Sequence, residues 1–543
     1  MSLLKSASTI SGLTLLSRIT GLIRDILIAR TFGASGLTDA FWVAFRIPNL
    51  LRRLFAEGAF SQAFVPILGE QKAKSDHKTV KSLIDNVAII LFLSLIITSV
   101  IGVISAPVVV YLIASGFHDD PELMRDAVWM TRMMFPYIVC MSLVALASGV
   151  LNTWKKFAIP AFTPVLLNLC MIFACFYLIK YFTPPIYALA VGVMMGGIAQ
   201  LSMQLIALSK IGLLPDIRKS VRKAWRDPNV RRIIHLMGPA ILGVSVAQIS
   251  ILINTNIASW LTPGSVSWLS FADRIMEFPT ALLGVALGTV LLPSLSETIA
   301  KGDKESYVRL LNWGLKLTFL LGIPCIVGMA LLGDGLISTL FNYGAFGHDD
   351  VRMTKYAVIA YAVGLLGILC VKILAPGYYA QQNIKTPVKV AIAVLIVTQF
   401  FNLLLVPIFN HAGLALSIGM GAILNSTLLY IGLRRRFPLL LHKKGIWPRF
   451  FIRVVPAVVL LSLWLYFSSG NVDWTMNSTS SWNYYLASWL HDNFGFNLNT
   501  RGNAHILARA LSLLFIIVIS IVVYFVALYS SGFKIKNLNK NNA

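Results

Sequence analysis

Residues 15–70 read LLSRITGLIRDILIARTFGASGLTDAFWVAFRIPNLLRRLFAEGAFSQAFVPILGE. The stretch holds two apolar windows, 10–32 and 37–66, each long enough to cross a bilayer, which takes about 20 mostly apolar residues as a helix. Yet Arg18, Arg24, Arg30, Arg46, Arg52 and Arg53 lie within them, against Asp25, Asp39 and Glu57. An ionisable group at the centre of a membrane helix costs about 2.5–3.5 kcal/mol on insertion scales, so such groups are rare and usually face a cavity or one another. Six arginines against three carboxylates are more cation than an ion-pair network needs. The stretch predicts membrane helices with a cationic interior.

Composition sets the same class for the whole chain. Of 543 residues, 57% are hydrophobic and 13% charged, the formal net charge is +24 and the mean hydropathy is +0.76. A soluble domain carries roughly a quarter charged residues, so that class is excluded. The apolar content excludes disorder. Cys140, Cys170, Cys175, Cys325 and Cys370 all sit in apolar runs without a CxxC pair and read as buried small hydrophobes, not metal or redox groups. Arg18 and Arg24 interrupt the first apolar run before a signal-peptide core is complete, so no cleaved signal is expected.

Further windows of spanning length fall at 83–114, 127–150, 158–181, 185–209, 233–261, 266–294, 308–341, 355–380, 386–409, 411–433, 449–468 and 505–530. The expectation is an all-α polytopic membrane protein of about 14 transmembrane helices. Basic residues gather in alternate connections: Lys72 to Lys81, Lys155 and Lys156, the run from Lys210 to Arg232, Lys301 and Lys304, Lys385 and Lys389, and Arg434 to Lys444. The connections between them are acidic or neutral, as in GFHDDPELMRD (116–126). The positive-inside rule then places the basic loops and both termini in the cytoplasm. The large net charge is mostly this topology signal, and it does not call for a nucleic-acid partner.

The chain also repeats itself. GFHDD (116–120) returns as FGHDD (346–350), AFRI (44–47) as ADRI (272–275), FVPILGE (64–70) as LLPSLSE (291–297), and Pro160 as Pro387. The common shift spans six helices, an even number, so the copies run in the same sense. Two parallel six-helix lobes around a central cavity are a transporter plan. The lobes are expected at 1–225 (helices 1–6) and 226–440 (helices 7–12), with 441–543 carrying helices 13 and 14.

The second copy keeps Asp273, Arg274 and Glu277 in its second span, while its first span has no charge after His235. In the first span Arg18 and Asp25, seven apart, share a helix face, as do Ser17 and Arg24. An arginine paired on its own face is held ready without neutralising the whole site. Arginine suits bidentate phosphate binding in a poorly hydrated place. The reading is a cationic cavity for a phosphate or diphosphate group. Against it stands the structural alternative, snorkelling or pairing, which fits Arg30 and Arg53 near span ends better than Arg18, Arg24, Arg52 or Arg274. Arg132, Lys316, Asp334, Lys372 and Arg453 read as interfacial, and Asn254 and Asn256 as helix–helix hydrogen-bonding residues. His118 and His348, each beside paired aspartates in equivalent loops, read as a shared turn, not a metal site. No Walker loop, HExxH or nucleophile elbow is present, so no enzyme and no cofactor are expected.

The stretches 15–70 and FADRIMEFPTALLGVALGTVLLPSLS (271–296) resemble the lipid II flippase family called MurJ or MviN, of the multidrug/oligosaccharidyl-lipid/polysaccharide exporter superfamily. The resemblance implies that the last two helices form a groove for a lipid tail. It implies lipid II, the undecaprenyl-diphosphate-linked disaccharide-pentapeptide, as substrate, carried across the bacterial inner membrane for peptidoglycan synthesis. It implies diphosphate binding by Arg18, Arg24, Arg52 and Arg274, with functional polar residues at Ser17, Asp39 and Glu277; Asp25, beside the arginine cluster, and the intramembrane Glu57 and Asp273 complete the expected supporting polar cavity. Besides lipid II, membrane lipids and peptidoglycan-synthesis proteins are expected partners. The stretch 469–504 is longer than that pattern leads one to expect.

Alternatives remain open at this point: a flippase for another polyprenyl-diphosphate-linked oligosaccharide, a multidrug antiporter of the same superfamily, or a non-transporting scaffold for wall synthesis. The arginine excess argues against an antiporter of organic cations. Membrane potential, or a coupling cation such as Na+ or H+, is the expected energy source.

Overall fold

The computed structural model describes residues 3–52, 59–437, 446–475, 480–495 and 503–533. Its regular elements among those residues are helices. By packing the chain divides into two units, Met1–Ser267 and Trp268–Ala543.

The first unit holds α1 (Leu3–Phe32), α2 (Gly36–Arg52), α3 (Ala59–Lys74), α4 (His77–Ile104), α5 (Ala106–Ile113), α6 (Pro121–Met134), α7 (Tyr137–Thr153), α8 (Ala158–Tyr177), α9 (Tyr187–Lys210), α10 (Val221–Arg226) and α11 (Pro228–Ser259). The chain then enters α12 (Ser265–Ala300), which crosses the boundary. The second unit continues with α13 (Lys304–Leu331), α14 (Gly333–Phe341), α15 (His348–Ala380), α16 (Lys385–Phe409), α17 (His411–Arg436), α18 (Ile446–Gly470), α19 (Trp482–Phe494) and α20 (Asn503–Ser530). Ten helical segments among the described residues are long and apolar enough to cross a membrane. The expected windows fall on these and on α1, α2–α3, α11 and α12.

Helix ends follow local chemistry. Gly33, at φ 65°, takes the left-handed conformation that stops α1. Ser105 and Pro107 divide α4 from α5, and Pro136 divides α6 from α7, since proline removes a donor and crowds the preceding turn. The two HDD loops both open helices, by different means. Asp120 caps α6 by accepting from the Glu122 and Leu123 amides at 3.1 Å. Asp350, in the first turn of α15, reaches back to the Gly347 amide at 3.1 Å and accepts from Trp268 Nε1 at 2.9 Å. No group of metal-binding residues forms among the described residues.

The lipid-facing surface is apolar without being packed. α16 presents Ile396, Phe400, Leu403 and Ile408 outward, 58–71% exposed. A soluble protein does not carry such a continuous face, whereas hydrocarbon accepts it. Where helices meet, small residues let backbones approach. A Cβ on Gly364 of α15 would collide with the Gly419 backbone of α17, and one on Gly367 with Ala422 and Ile423. Asn256, expected to bond between helices, donates to the Leu112 carbonyl at 3.1 Å and to Ser115 Oγ at 2.9 Å.

The basic connection 211–227 is fastened to α4. Asp85, 1% exposed, pairs with Lys81 and with Lys219 at 2.7 Å, and accepts from the Asp216 amide at 2.9 Å. Asn86 donates to Asp227 at 2.8 Å, and Asp227 caps α11 through the Asn229 amide. Glu70 at the end of α3 joins Lys74 and Arg232, both at 2.9 Å, and these cations hold its carboxyl below the usual glutamate range. That link is therefore complete above the ordinary glutamate pKa and is lost as pH falls through the lowered one.

Asp85→Ala removes one acceptor from two lysines and leaves the Asp216 amide unpaired, a loss of about 1–3 kcal/mol. Limited trypsin digestion is expected to cut faster at Arg218 to Lys223 in the variant. An unchanged cleavage rate and thermal midpoint would show that Asp85 does not hold the loop.

Candidate functional site

The charges of α1 are positioned by α8, on which it packs. Arg24 is 6% exposed and Asp25 is 2% exposed. Arg24 Nε and Nη2 donate to Asp25 Oδ1 at 2.8 and 2.7 Å, and its Nη1 donates to Asn168 Oδ1 of α8 at 2.9 Å. Asn168 in turn donates to the Ser17 carbonyl at 3.0 Å and to Thr20 Oγ1 at 3.1 Å. The result is a closed polar clamp between two helices in an otherwise apolar contact. Burial without partners would leave a guanidinium uncompensated; here the carboxylate supplies charge and the amide fills the remaining direction.

This arrangement corrects the pairing read from the helical wheel. Arg18 and Asp25 share a face, but two turns separate them by about 10.5 Å of rise. Asp25 serves Arg24, its chain neighbour, instead. Arg18 is exposed beside Leu15, Ile19 and Ile23 on α1 and makes no hydrogen bond or ion pair among the described residues. Ser17 enters the clamp through its backbone carbonyl.

Asp39, in the first turn of α2, is 3% exposed. Its Oδ2 accepts from the Gly264 amide at 2.7 Å, and its Oδ1 accepts from the Ser267 amide at 2.8 Å and Ser267 Oγ at 2.5 Å. Asp39 thus caps the start of α12 from another helix, with a carboxylate at the positive end of the helix dipole. Both of its oxygens are engaged there. Glu57 and the side chain of Arg52 lie outside the described residues, as does Arg53.

In the second unit Arg274 of α12 donates from Nη1 to Glu277 Oε2, one turn on, at 2.7 Å. Both side chains are partly exposed, 28% and 46%, so this pair is screened by solvent and contributes little to stability. Asp273 is half-buried beside it. The predicted residues therefore form a sealed pair and an open arginine in α1, a cap in α2, and an open pair in α12. Of the charges expected at interfaces, Asp334 pairs with Lys355 at 2.6 Å, and Arg132 donates to the Val103 carbonyl at 3.3 Å. Asn168 is the member that sequence reading passed over; its only signal was a lone amide in the apolar run LLNLC (166–170).

Cavities also lie elsewhere among the described residues. One, of about 450 Å³, is bordered by Pro107, His118, Arg125, Trp129 and Arg132. Another, of about 270 Å³, lies where α18 meets α13, α15 and α17, and is lined by Leu315, Phe319, Leu374, Tyr430, Trp447 and Phe451. It is an apolar recess built partly by α18.

Helices of bilayer length, breaks at proline and arginines inside the spans define a polytopic membrane transporter. The fold is that of known transporters: it matches an inward-facing multidrug resistance MATE family transporter of the MOP superfamily (TM-score 0.66, 14% identity, 81% of this chain and 100% of that one). It also matches a structure titled lipid II flippase MurJ, inward closed conformation (TM-score 0.70, 24% identity, 94% of this chain and 98% of that one).

The family model described as lipid II flippase MurJ matches residues 28–485. The chain is 53% identical over 475 residues to the lipid II flippase MurJ of Burkholderia cenocepacia, covering 88% of this chain and 92% of that protein. It is 38% identical over 487 residues to the probable lipid II flippase MurJ of Vibrio cholerae, covering 88% and 90%. The chain belongs to the lipid II flippase MurJ family.

The clamp has a measurable signature. Asp25→Ala strands a buried guanidinium and is expected to cost about 3–5 kcal/mol. Replacing Arg24 and Asp25 together by leucine should cost clearly less than that single change. Thermal unfolding in detergent would read both; equal losses in the single and double variants would show that the two residues are not coupled.

Proposed function

We propose that this chain flips lipid II, moving the undecaprenyl-diphosphate-linked disaccharide-pentapeptide from the cytoplasmic to the periplasmic leaflet of a bacterial inner membrane, with both termini in the cytoplasm. The observation that carries the reading is Arg18. It is an intramembrane arginine with no acidic partner among the described residues, in a chain whose relatives bear the name lipid II flippase. A diphosphate is the group such an arginine suits: anionic, able to accept two parallel bonds from a planar guanidinium, and unable to cross hydrocarbon alone.

On this reading the arginines divide the work. Arg18 and Arg274 are the accessible ligands of the diphosphate, and Arg52 joins them. Arg24 is held by Asp25 and Asn168 and keeps α1 registered on α8. It engages the substrate only in a state where the clamp opens. The sugar-peptide head travels with the diphosphate while the polyprenyl tail stays in an apolar environment; the recess beside α18 suits a segment of it. The protein cycles by alternating access.

Membrane potential supplies the direction. An anion leaving a negative interior gains about 2.3 kcal/mol per charge per 100 mV, and a diphosphate carries more than one charge that the arginines partly offset. A coupling cation, Na+ or H+, resets the empty protein.

Arg18→Ala and Arg274→Ala are expected to lower lipid II translocation at least tenfold in proteoliposomes, about 1.4 kcal/mol or more of lost interaction, without loss of folded protein. Lysine at position 18 should restore part of the rate. Normal export by both alanine variants would overturn the diphosphate assignment. Imposing an inside-negative potential should accelerate outward flipping by the native protein; a rate indifferent to potential would remove voltage from the mechanism.

A further inference from the structure

The connection between the last two spans, longer than the family pattern leads one to expect, folds into α19, WNYYLASWLHDNF (482–494). Its side chains divide by face. Asn483, Ala487 and Leu490, spaced four and three apart, are buried, and Ala487 and Leu490 pack with Ala504 and Ala508 at the start of α20. Trp482, Tyr485 and Trp489, spaced three and four apart, share another face and are 38%, 62% and 53% exposed. The helix thus has one edge docked on the last span and an aromatic stripe turned away from the protein.

The stripe is held in a fixed orientation. Asn483 Nδ2 donates to the Asp473 carbonyl at 2.8 Å. Arg509 of α20, 3% exposed, directs Nη1 and Nη2 at the carbonyls of Trp474 and Asn342, at 3.4 and 3.5 Å, and lies 5.0 Å from the centre of the Tyr343 ring. Trp474 is itself buried against Gly335 of α14, where a Cβ would stand 2.8 Å from its ring. A buried arginine therefore ties the connection to both α14 and α20. α19 is not a pendant loop.

What covers the stripe follows from what it adjoins. The Trp482 and Phe515 rings are 6.2 Å apart, and Phe515 opens the outward apolar side of α20, continued by Leu514, Val518, Ile521 and Val522. That side faces hydrocarbon in a membrane span. The aromatic stripe runs beside the first half of α20, with Trp482 level with Phe515 and Leu490 level with the first turns of the helix. Tryptophan and tyrosine concentrate at headgroup level because their rings are apolar and their N–H or O–H groups want water. The ionisable residues of α19, His491 and Asp492, lie together in its exposed last turn and offer little charge for a protein partner.

We infer that α19 is an interfacial helix. It flanks the start of α20 at the edge of the bilayer, with Trp482, Tyr485 and Trp489 in the boundary between headgroups and acyl chains. On the topology proposed above this is the periplasmic leaflet. The ligand of this surface is the phospholipid interface itself, and the helix sets the depth of the last two spans. The inference is independent of the transported substrate.

The test uses the full chain with its five cysteines, Cys140, Cys170, Cys175, Cys325 and Cys370, changed to alanine. Nitroxide labels are placed through Tyr485→Cys, Trp489→Cys or, on the polar side, His491→Cys, in nanodiscs of phosphatidylethanolamine with a minority of phosphatidylglycerol. At 485 and 489, relaxation by dissolved oxygen should exceed relaxation by an aqueous nickel chelate, and the order should reverse at 491. Nickel access at 485 and 489 equal to that at 491 would place the helix above the membrane and overturn the inference. Labels sheltered from both reagents would also overturn it, since a protein surface would then cover the stripe. A second measurement avoids labels: quenching of native tryptophan emission by brominated acyl chains should fall in Trp489→Phe, and an unchanged quenched fraction would overturn the inference.

Discussion

A charge within hydrocarbon must be paired, wetted or moved to an edge, and this constraint organises the protein. Each solution is present. Arg24 is paired, in a clamp with Asp25 and Asn168 that is almost wholly buried. Arg18 and Arg274 keep exposed surface, Arg274 in a loose pair with Glu277. The remaining cations gather in connections such as 211–227, where Asp85 gives the loop a buried anchor. The same sequence feature, an arginine in an apolar window, thus has opposite physical consequences at Arg18 and Arg24, less than two helical turns apart.

The buried clamp and the open arginines serve different ends. A sealed ion pair adds little net stability over an apolar contact of the same shape, but breaking it is costly, so it fixes register between α1 and α8. An open arginine does the reverse: it contributes little to the fold and keeps its binding capacity. The proposed substrate chemistry needs the second kind. Asp39, though equally buried, belongs to neither, because its oxygens are spent on the start of α12.

The segment between α18 and α20 obeys the same constraint from the apolar side. Its exposed rings are disfavoured in water, though far less than an unpaired charge is in lipid. Docking α19 on α20, with Arg509 anchoring the turn before it, aligns those rings with the outward face of a span. Polar anchorage inside and aromatic contact outside together define a level in the bilayer.

Much was legible in the residues alone. The windows of spanning length and the exceptional charge of residues 15–70 follow from local composition, because hydrocarbon penalises each polar group almost independently of its neighbours. The motifs carried the family as well. Which arginine is open was not legible. Helical periodicity places Arg18 and Asp25 on one face, but pairing depends on reach and on what packs opposite. Asn168, 144 residues from Arg24, decides it. Likewise Asp39 read as a cavity carboxylate until Gly264 and Ser267, more than 220 residues later, were brought against it. Sequence determined which groups hydrocarbon would not tolerate; the tertiary structure decided which of them are satisfied within the protein, because a partner is a matter of position in space.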